Sequence, residues 1–310
     1  MSPRYAVIDI GTLKVKSLIA EITSKGIFKP VYKSNTLTCF GCDMNRNGGN
    51  ISVKNLQDTV TELLRLKNLL KENKVFKIKI VSTHAMRRAK NQKQVLQSIK
   101  QQTGFEVENI TQDDEARLFF LAVMRGFPKS SQKYAVVDMG GGSVQILIGQ
   151  PDKLQATHLL PIGAQTLHAK FTQDSENKLS FTTEQDLERM RRHILNQLLP
   201  VEQNLQTPLI YGSTNIIDLM QAIKLPLEEN PDSPSHPYKI YAQHLQDFIH
   251  KILPLNYKTR EAKYPFQYGY MWGVDKAFLN ILTITEHLNS PHIIPSNSNI
   301  AEGLIYDLLD

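Results

Sequence analysis

The sequence predicts an α/β protein built from two related lobes around a cleft, and three observations carry that prediction. The first is a near-repeat, YAVIDIGT at Tyr5–Thr12 and YAVVDMGGGS at Tyr134–Ser143. Each copy is a short apolar run ending in Asp-x-Gly. Such an ending puts a carboxylate at a strand tip and turns the backbone where glycine leaves amide hydrogens open to an anion. The second is the apolar run after each copy, Val15–Thr23 and Val144–Gly149, so each unit reads as strand, turn, strand. The third is the alternation of strand-like and helix-like segments along the rest of the chain, the pattern of the α/β class. At 310 residues the chain suits about two domains. They are read here as 1–128 and 129–310, with the C-terminal helix free to pack back onto the first lobe.

In the first lobe, strands are expected at 5–10, 15–23 and 28–38, then a loop at Asp43–Asn50. Ser52 reads as the N-cap of a helix on which Leu56, Val60, Leu63, Leu64 and Leu70 recur near helical period. A strand at Phe76–Ser82 leads to Thr83-His-Ala-Met-Arg-Arg-Ala-Lys-Asn91, a helix through Val95 and Ile99 follows, and a strand is expected at Glu106–Ile110. Thr111 and Asp114 have capping-box spacing, and Glu115 shares a helix face with Leu118, Phe119 and Ala122. The carboxylate of Glu115 therefore crowns a buried stripe, or serves only the helix dipole. Arg125–Gln132 reads as a loop and a candidate hinge.

In the second lobe, strands precede Gly163-Ala-Gln-Thr-Leu167, and a later helix has Thr182-x-x-Gln185 as its expected cap. The apolar strand Pro208–Tyr211 ends at Gly212-Ser-Thr-Asn215. Asn230–Pro237 reads as a surface loop, and Ile300–Leu309 as an amphipathic helix.

A composition of 41% hydrophobic and 21% charged residues is ordinary for a globular protein. No run approaches the roughly 20 apolar residues of a membrane span. The N-terminus enters a strand-like segment without a signal peptide, so a cytoplasmic location and no membrane partner are expected. A net charge of +6 permits phosphate-rich partners without naming one. The basic clusters, Arg65 to Lys79 and Arg189 to Arg192, read as solvated helix faces, and no nucleic-acid motif accompanies them. Both cysteines lie in Cys39-Phe-Gly-Cys42. With no further ligand nearby and a loop rather than a helix following, they read as ordinary thiols rather than a zinc or redox site.

The chain has no Walker A sequence and no G-x-G-x-x-G. Its candidate phosphate cradles are backbone turns after apolar strands: Gly11-Thr12, Gly140-Gly141-Gly142-Ser143 and Gly212-Ser213-Thr214. Asp9 and Asp138 either hold a hydrated Mg²⁺, which takes a few carboxylates plus waters and phosphate oxygens, or each caps its own turn. Arg87 can fork onto phosphate oxygens, while one of Arg87 and Arg88 faces solvent. His84 touches an anion or is a neutral loop or core histidine.

Taken in order, these motifs resemble the exopolyphosphatase/guanosine pentaphosphatase (Ppx/GppA) family, within the actin-like ATPase (ribonuclease H-like) fold. DIGTLKVKSLIAEI resembles its first phosphate motif, STHAMRRAKN its Thr-Ala-x-x-Arg-x-Ala-x-Asn element, and DDEARLFFLAV its Glu-Glu-Ala-Arg-Leu helix. VVDMGGGSVQ resembles the Asp-x-Gly-Gly-Gly-Ser-Thr-Glu turn, and PIGAQTLHAKF, YGSTNIIDL and SNSNIAEGLIYDLL match later elements. The resemblance runs from Tyr5 to Leu309, and the extra C-terminal domains of longer members are absent from it. It implies that Glu115 activates or positions the attacking water and that Asp138 and Asp9 organise Mg²⁺. It also implies that Arg87, Ser143 and the glycine amides hold terminal phosphates.

The departures are specific. The family's Ser-Asn-Ser is Thr12-Leu13-Lys14, where Leu13 cannot donate to a phosphate and Lys14 can supply charge. Its Thr-Glu is Val144-Gln145, leaving Gln145 to coordinate metal through a neutral carbonyl oxygen. Its Arg-Leu-Gly-Glu is Cys39-Phe40-Gly41-Cys42, and its Arg-x-Asp is Phe266-Gln267-Tyr268. The resemblance implies an Mg²⁺-dependent phosphohydrolase acting on inorganic polyphosphate. The alternatives are hydrolysis of guanosine pentaphosphate, a degenerate member that binds polyphosphate or nucleotide without turnover, and an actin-fold kinase or ATPase. A homodimer is a further expectation from the family.

Overall fold

The seven residues from Arg4 to Ile10, the last five of them buried, form β1, the central strand of the first of two five-stranded sheets. The computed structural model describes residues 3–22, 28–44, 46–172, 179–212, 215–233, 235–266 and 270–309. It divides into two units, Met1–Ala122 with Ile300–Asp310, and Val123–Asn299.

In the first unit β1 is followed by β2 (Lys14–Ile22), β3 (Phe28–Leu37), α1 (Val53–Glu72), β4 (Lys77–Ser82) and the short α2 (His84–Arg88). Then come α3 (Gln92–Thr103), β5 (Glu108–Asn109) and α4 (Gln112–Met124). The sheet order is β3-β2-β1-β4-β5, antiparallel across β1, β2 and β3, and parallel across β1, β4 and β5. Because strand side chains alternate, Ile8 and Ile10 face a core with Val60, Leu63 and Ile99. Val7 faces the opposite core, with Leu18, Val81 and Leu118. Ser52 caps α1 as expected, its side chain accepting from the Asn55 amide. The last strand of this sheet is shorter than the expected Glu106–Ile110.

The second unit holds β6 (Tyr134–Met139), β7 (Val144–Gln150), β8 (Lys153–Leu160), α5 (Ala164–Phe171), α6 (Glu184–Gln197), β9 (Leu209–Gly212) and α7 (Ile216–Ala222). It continues with β10 (Glu228–Glu229), β11 (Tyr238–Lys239), α8 (Ala242–Ile252), α9 (Tyr257–Lys263), α10 (Tyr270–Leu288) and β12 (Ile293–Ser296). Its main sheet runs β12-β9-β6-β7-β8, with β6, β7 and β8 antiparallel and β6, β9 and β12 parallel. Read from the other end, that is the order of the first sheet. The repeat in sequence is thus a repeat in topology. The final helix, α11 (Ile300–Asp307), belongs to the first unit, where Leu304 and Ile305 are buried beside Val7, Val81 and Leu118. Gly303 permits this packing, since a Cβ there would come within 1.9 Å of the Leu118 carbonyl oxygen.

Two local expectations need correcting. The cap of α6 is Thr183, not Thr182: Thr183 and Asp186 form the capping box. Thr182 is buried and donates its hydroxyl to Asp275 at 2.6 Å. The described residues of the 230–237 segment form a loop, but not simply a surface one. Asn230, Ser233 and His236 are buried, and His236 Nε2 lies 2.9 Å from the Val123 carbonyl. Among the described residues no helix is long and apolar enough to cross a membrane.

Candidate active site

The first unit gathers Asp9, Arg87 and Glu115. Asp9 sits next to last in β1, and the chain reverses at once, the Gly11 amide donating to the Lys14 carbonyl at 3.0 Å. That closure pairs Asp9 with Lys16 across the β1–β2 hairpin and brings Lys16 Nζ within 4.0 Å of Asp9 Oδ2. Lys14 and Lys16, two apart on β2, share this face. The tip of the turn presents Leu13, 48% exposed. Its backbone is held from the Cys39–Cys42 segment: Gly41 donates to the Thr12 carbonyl and Cys39 to the Leu13 carbonyl, both at 2.9 Å. Cys39 and Cys42 are free thiols, and partial burial with the neighbouring Cys39 pushes the Cys42 thiol up to about 12.

Strand β4 delivers Arg87 on α2. Arg87 turns inward while His84 and Arg88 are exposed. Its guanidinium donates from Nη1 to the Ile110 carbonyl at 3.1 Å, and from Nη2 to Gln112 Oε1 at 2.6 Å and Glu115 Oε2 at 2.7 Å. Glu115 stands in the first turn of α4, whose cap is Thr111; the Thr111 hydroxyl accepts from the Asp114 amide at 3.0 Å and donates to the Asp114 carboxylate at 2.7 Å. Burial pushes the Asp9 carboxyl up to about 6; Lys16 and Arg87 pull it down, and Glu115 pushes it further up.

Asp9 Oδ1 is buried with no hydrogen-bond partner among the described residues. A buried carboxylate oxygen without a donor calls for a cation or an ordered water, so this position fits an oxygen ligand to a hydrated Mg²⁺. No cluster of three or more His, Cys, Asp or Glu arranged for a metal occurs among the described residues.

The second unit gathers Asp138, the glycine turn and Gln145. Asp138 near the end of β6 pairs with Gln145 on β7 and with Gly212 on β9, and Gln145 is buried. The turn between β6 and β7 is closed by the Gly140 amide donating to the Ser143 carbonyl at 2.9 Å. The N-terminus of α5 captures its carbonyls: Gln165 and Thr166 amides donate to Gly141 at 2.9 and 3.1 Å, and the Thr166 hydroxyl to Gly142 at 2.9 Å. Among the described residues the Gly141 and Gly142 amides donate to no backbone carbonyl. With its carbonyls engaged, such a turn can offer these amides to an anion. Gly163 allows the approach, because a Cβ there would fall 2.3 Å from the Gly141 oxygen. Beside Gly140 and Gly141 lies a cavity of about 410 Å³ with Met139, Tyr211, Trp272 and Phe278 in its wall. Ser213 and Thr214 lie outside the described residues, as do Gln267 and Tyr268.

A family model described as the Ppx/GppA phosphatase family matches residues 18–310. The chain belongs to that family. Exopolyphosphatase 1 of Mycobacterium tuberculosis is 26% identical over 171 residues, covering 55% of this chain and 49% of that protein. The guanosine-5'-triphosphate,3'-diphosphate pyrophosphatase of Aliivibrio fischeri is 28% identical over 166 residues, covering 54% and 33%. The alignments with these Ppx/GppA relatives thus take in about half of their length or less. A crystal structure of the Aquifex aeolicus Ppx/GppA family member superposes with a TM-score of 0.86 at 24% identity, covering 99% and 97% of the two chains. An exopolyphosphatase from Cytophaga hutchinsonii gives 0.80 at 22% identity, covering 99% and 98%. The fold of the chain is therefore the α/β fold of the family, in two units each built on a five-stranded sheet.

Two residues of the first unit were missed from the sequence. Lys16 could have been found by closing the β1–β2 hairpin on paper, since a tight turn after Gly11 sets Asp9 opposite it. Gln112 carries no such signal, being a neutral residue ahead of three acids.

Proposed function

We propose that this Ppx/GppA protein is a phosphohydrolase that removes terminal phosphates from inorganic polyphosphate by metal-assisted attack of water. The observation that carries the reading is the contact of Glu115 with Arg87 beside the buried carboxylate of Asp9. A carboxylate next to a phosphate-binding cation can orient a water and take its proton. Phosphoryl transfer needs chiefly positioning and charge neutralisation. In this reading Arg87, Lys14, Thr12, Ser143 and the glycine amides hold phosphate oxygens. The candidate oxygen ligands for Mg²⁺ are Asp9 in the first unit and Asp138 with the Gln145 carbonyl oxygen in the second; the ion when bound would neutralise the charge that develops on the transferring phosphoryl group. Phosphate release from long-chain polyphosphate in Mg²⁺, compared with Glu115→Gln, tests it.

The cavity beside Gly140 and Gly141 supports a second reading, hydrolysis of guanosine pentaphosphate. About 410 Å³ bounded by aromatic rings is room enough for a nucleobase. Competition between the two substrates in one assay separates them. The exposed Leu13 and the uncharged Gln145 support a third, binding without turnover. Ligand saturation with no phosphate release, and release restored by Gln145→Glu, would establish it.

A further inference from the structure

Every two-pronged edge of the Arg87 guanidinium is engaged. Of its five N–H donors, Nη2 commits both, to Gln112 Oε1 at 2.6 Å and Glu115 Oε2 at 2.7 Å. Nη1 gives one to the Ile110 carbonyl at 3.1 Å. The two N–H groups left, on Nε and Nη1, do not share an edge of the planar fork. A phosphate held in the bidentate manner needs two parallel N–H groups on one edge. It must therefore take a hydrogen from Nη2, displacing either Glu115 or Gln112.

Charge decides which. Glu115 is an anion and is repelled by an arriving phosphate, whereas Gln112 is neutral and is not. The Ile110 carbonyl and Gln112 both lie within five residues of Glu115, and they can keep the fork anchored once the carboxylate has left. We propose that phosphate exchanges with Glu115 on Arg87, so that the carboxylate is released toward water only when an anion occupies the fork. Gln112 is the positioning residue that keeps the guanidinium aimed through the exchange. This rests on the reading of Glu115 as the water-activating group. It adds a coupling between substrate arrival and base release, and a residue that the sequence did not single out.

The test uses the full chain, tripolyphosphate as the probe and no Mg²⁺, so that binding is seen without turnover. The side-chain carboxyl resonance of Glu115, identified by its loss in Glu115→Gln, is followed by ¹³C NMR while calorimetry gives the affinity. The expected result is a shift of that resonance at saturation. Gln112→Ala leaves one Nη2 hydrogen free on the fork, so it should bind tripolyphosphate with a smaller shift of the Glu115 resonance than the wild type shows. Gln112→Glu, which places a second carboxylate on the fork, should bind more weakly than the wild type. Under turnover, Gln112→Glu should raise KM more than it lowers kcat. Wild-type binding that leaves the Glu115 resonance unmoved, an equal shift of that resonance in Gln112→Ala, or no binding at all would overturn the exchange. A protein that binds with the expected shift but releases no phosphate refutes the hydrolase reading and leaves the exchange standing.

Discussion

At Asp275 burial and charge are directly opposed. It is fully buried on α10, accepting from the Thr182 hydroxyl at 2.6 Å and ion-paired with Lys276 at 3.0 Å and Arg260 at 2.9 Å. Burial pushes its carboxyl up, but Lys276, Arg260 and the Thr182 hydroxyl outweigh burial and hold it at about 2, below the ordinary 3.8. The folded state therefore binds this proton less readily than the unfolded chain. Its contribution is complete above 3.8 and is lost as pH falls through about 2, amounting to roughly 2 kcal/mol. Asp275→Asn should remove that acid limb from a pH series of denaturant melts. It should also destabilise the protein by about 3–5 kcal/mol at neutral pH, because Arg260 and Lys276 would stay buried without a counter-charge. The same residue explains why the α6 cap was read one position early. Thr182 and Thr183 are equally good caps by type, and the hydroxyl of Thr182 is taken by a partner 93 residues away, which no local pattern reports.

At the scale of elements, the glycine turn after β6 depends on α5. The helix start draws in the carbonyls of Gly141 and Gly142, and Gly163 lets it come close enough. Gly163→Ala should push the turn outward, costing about 1–3 kcal/mol as an overpacking change and weakening tripolyphosphate binding. A melt and a titration on the same preparation check both effects. Strand-turn-strand units were legible because apolar runs, Asp-x-Gly and a following apolar run are all local signals. The engagement of the turn by α5 was not legible, since it joins Gly141 to Gln165 and Thr166 across two intervening strands. The same limit hid Lys16, whose place beside Asp9 depends on hairpin register rather than on its neighbours in sequence.

Across the whole molecule, the two sheets share one strand order, and the near-repeat at Tyr5 and Tyr134 announced it. The return of α11 to the first unit follows from Ile300, Leu304 and Ile305, whose buried faces pack against the sheet and α4. Because α4 also carries Glu115, Leu304→Ala should destabilise the first unit by about 2–5 kcal/mol, a loss readable by hydrogen exchange in β1 and α4. The central claim is that this scaffold still turns over. The decisive measurement is the initial rate of phosphate release from long-chain polyphosphate with Mg²⁺, for the wild-type chain and Glu115→Gln side by side. The expected result is release by the wild type and a loss on the order of 10²-fold or more in the variant, the usual contribution of a general base. Equal rates from both, or no release from either, would contradict it.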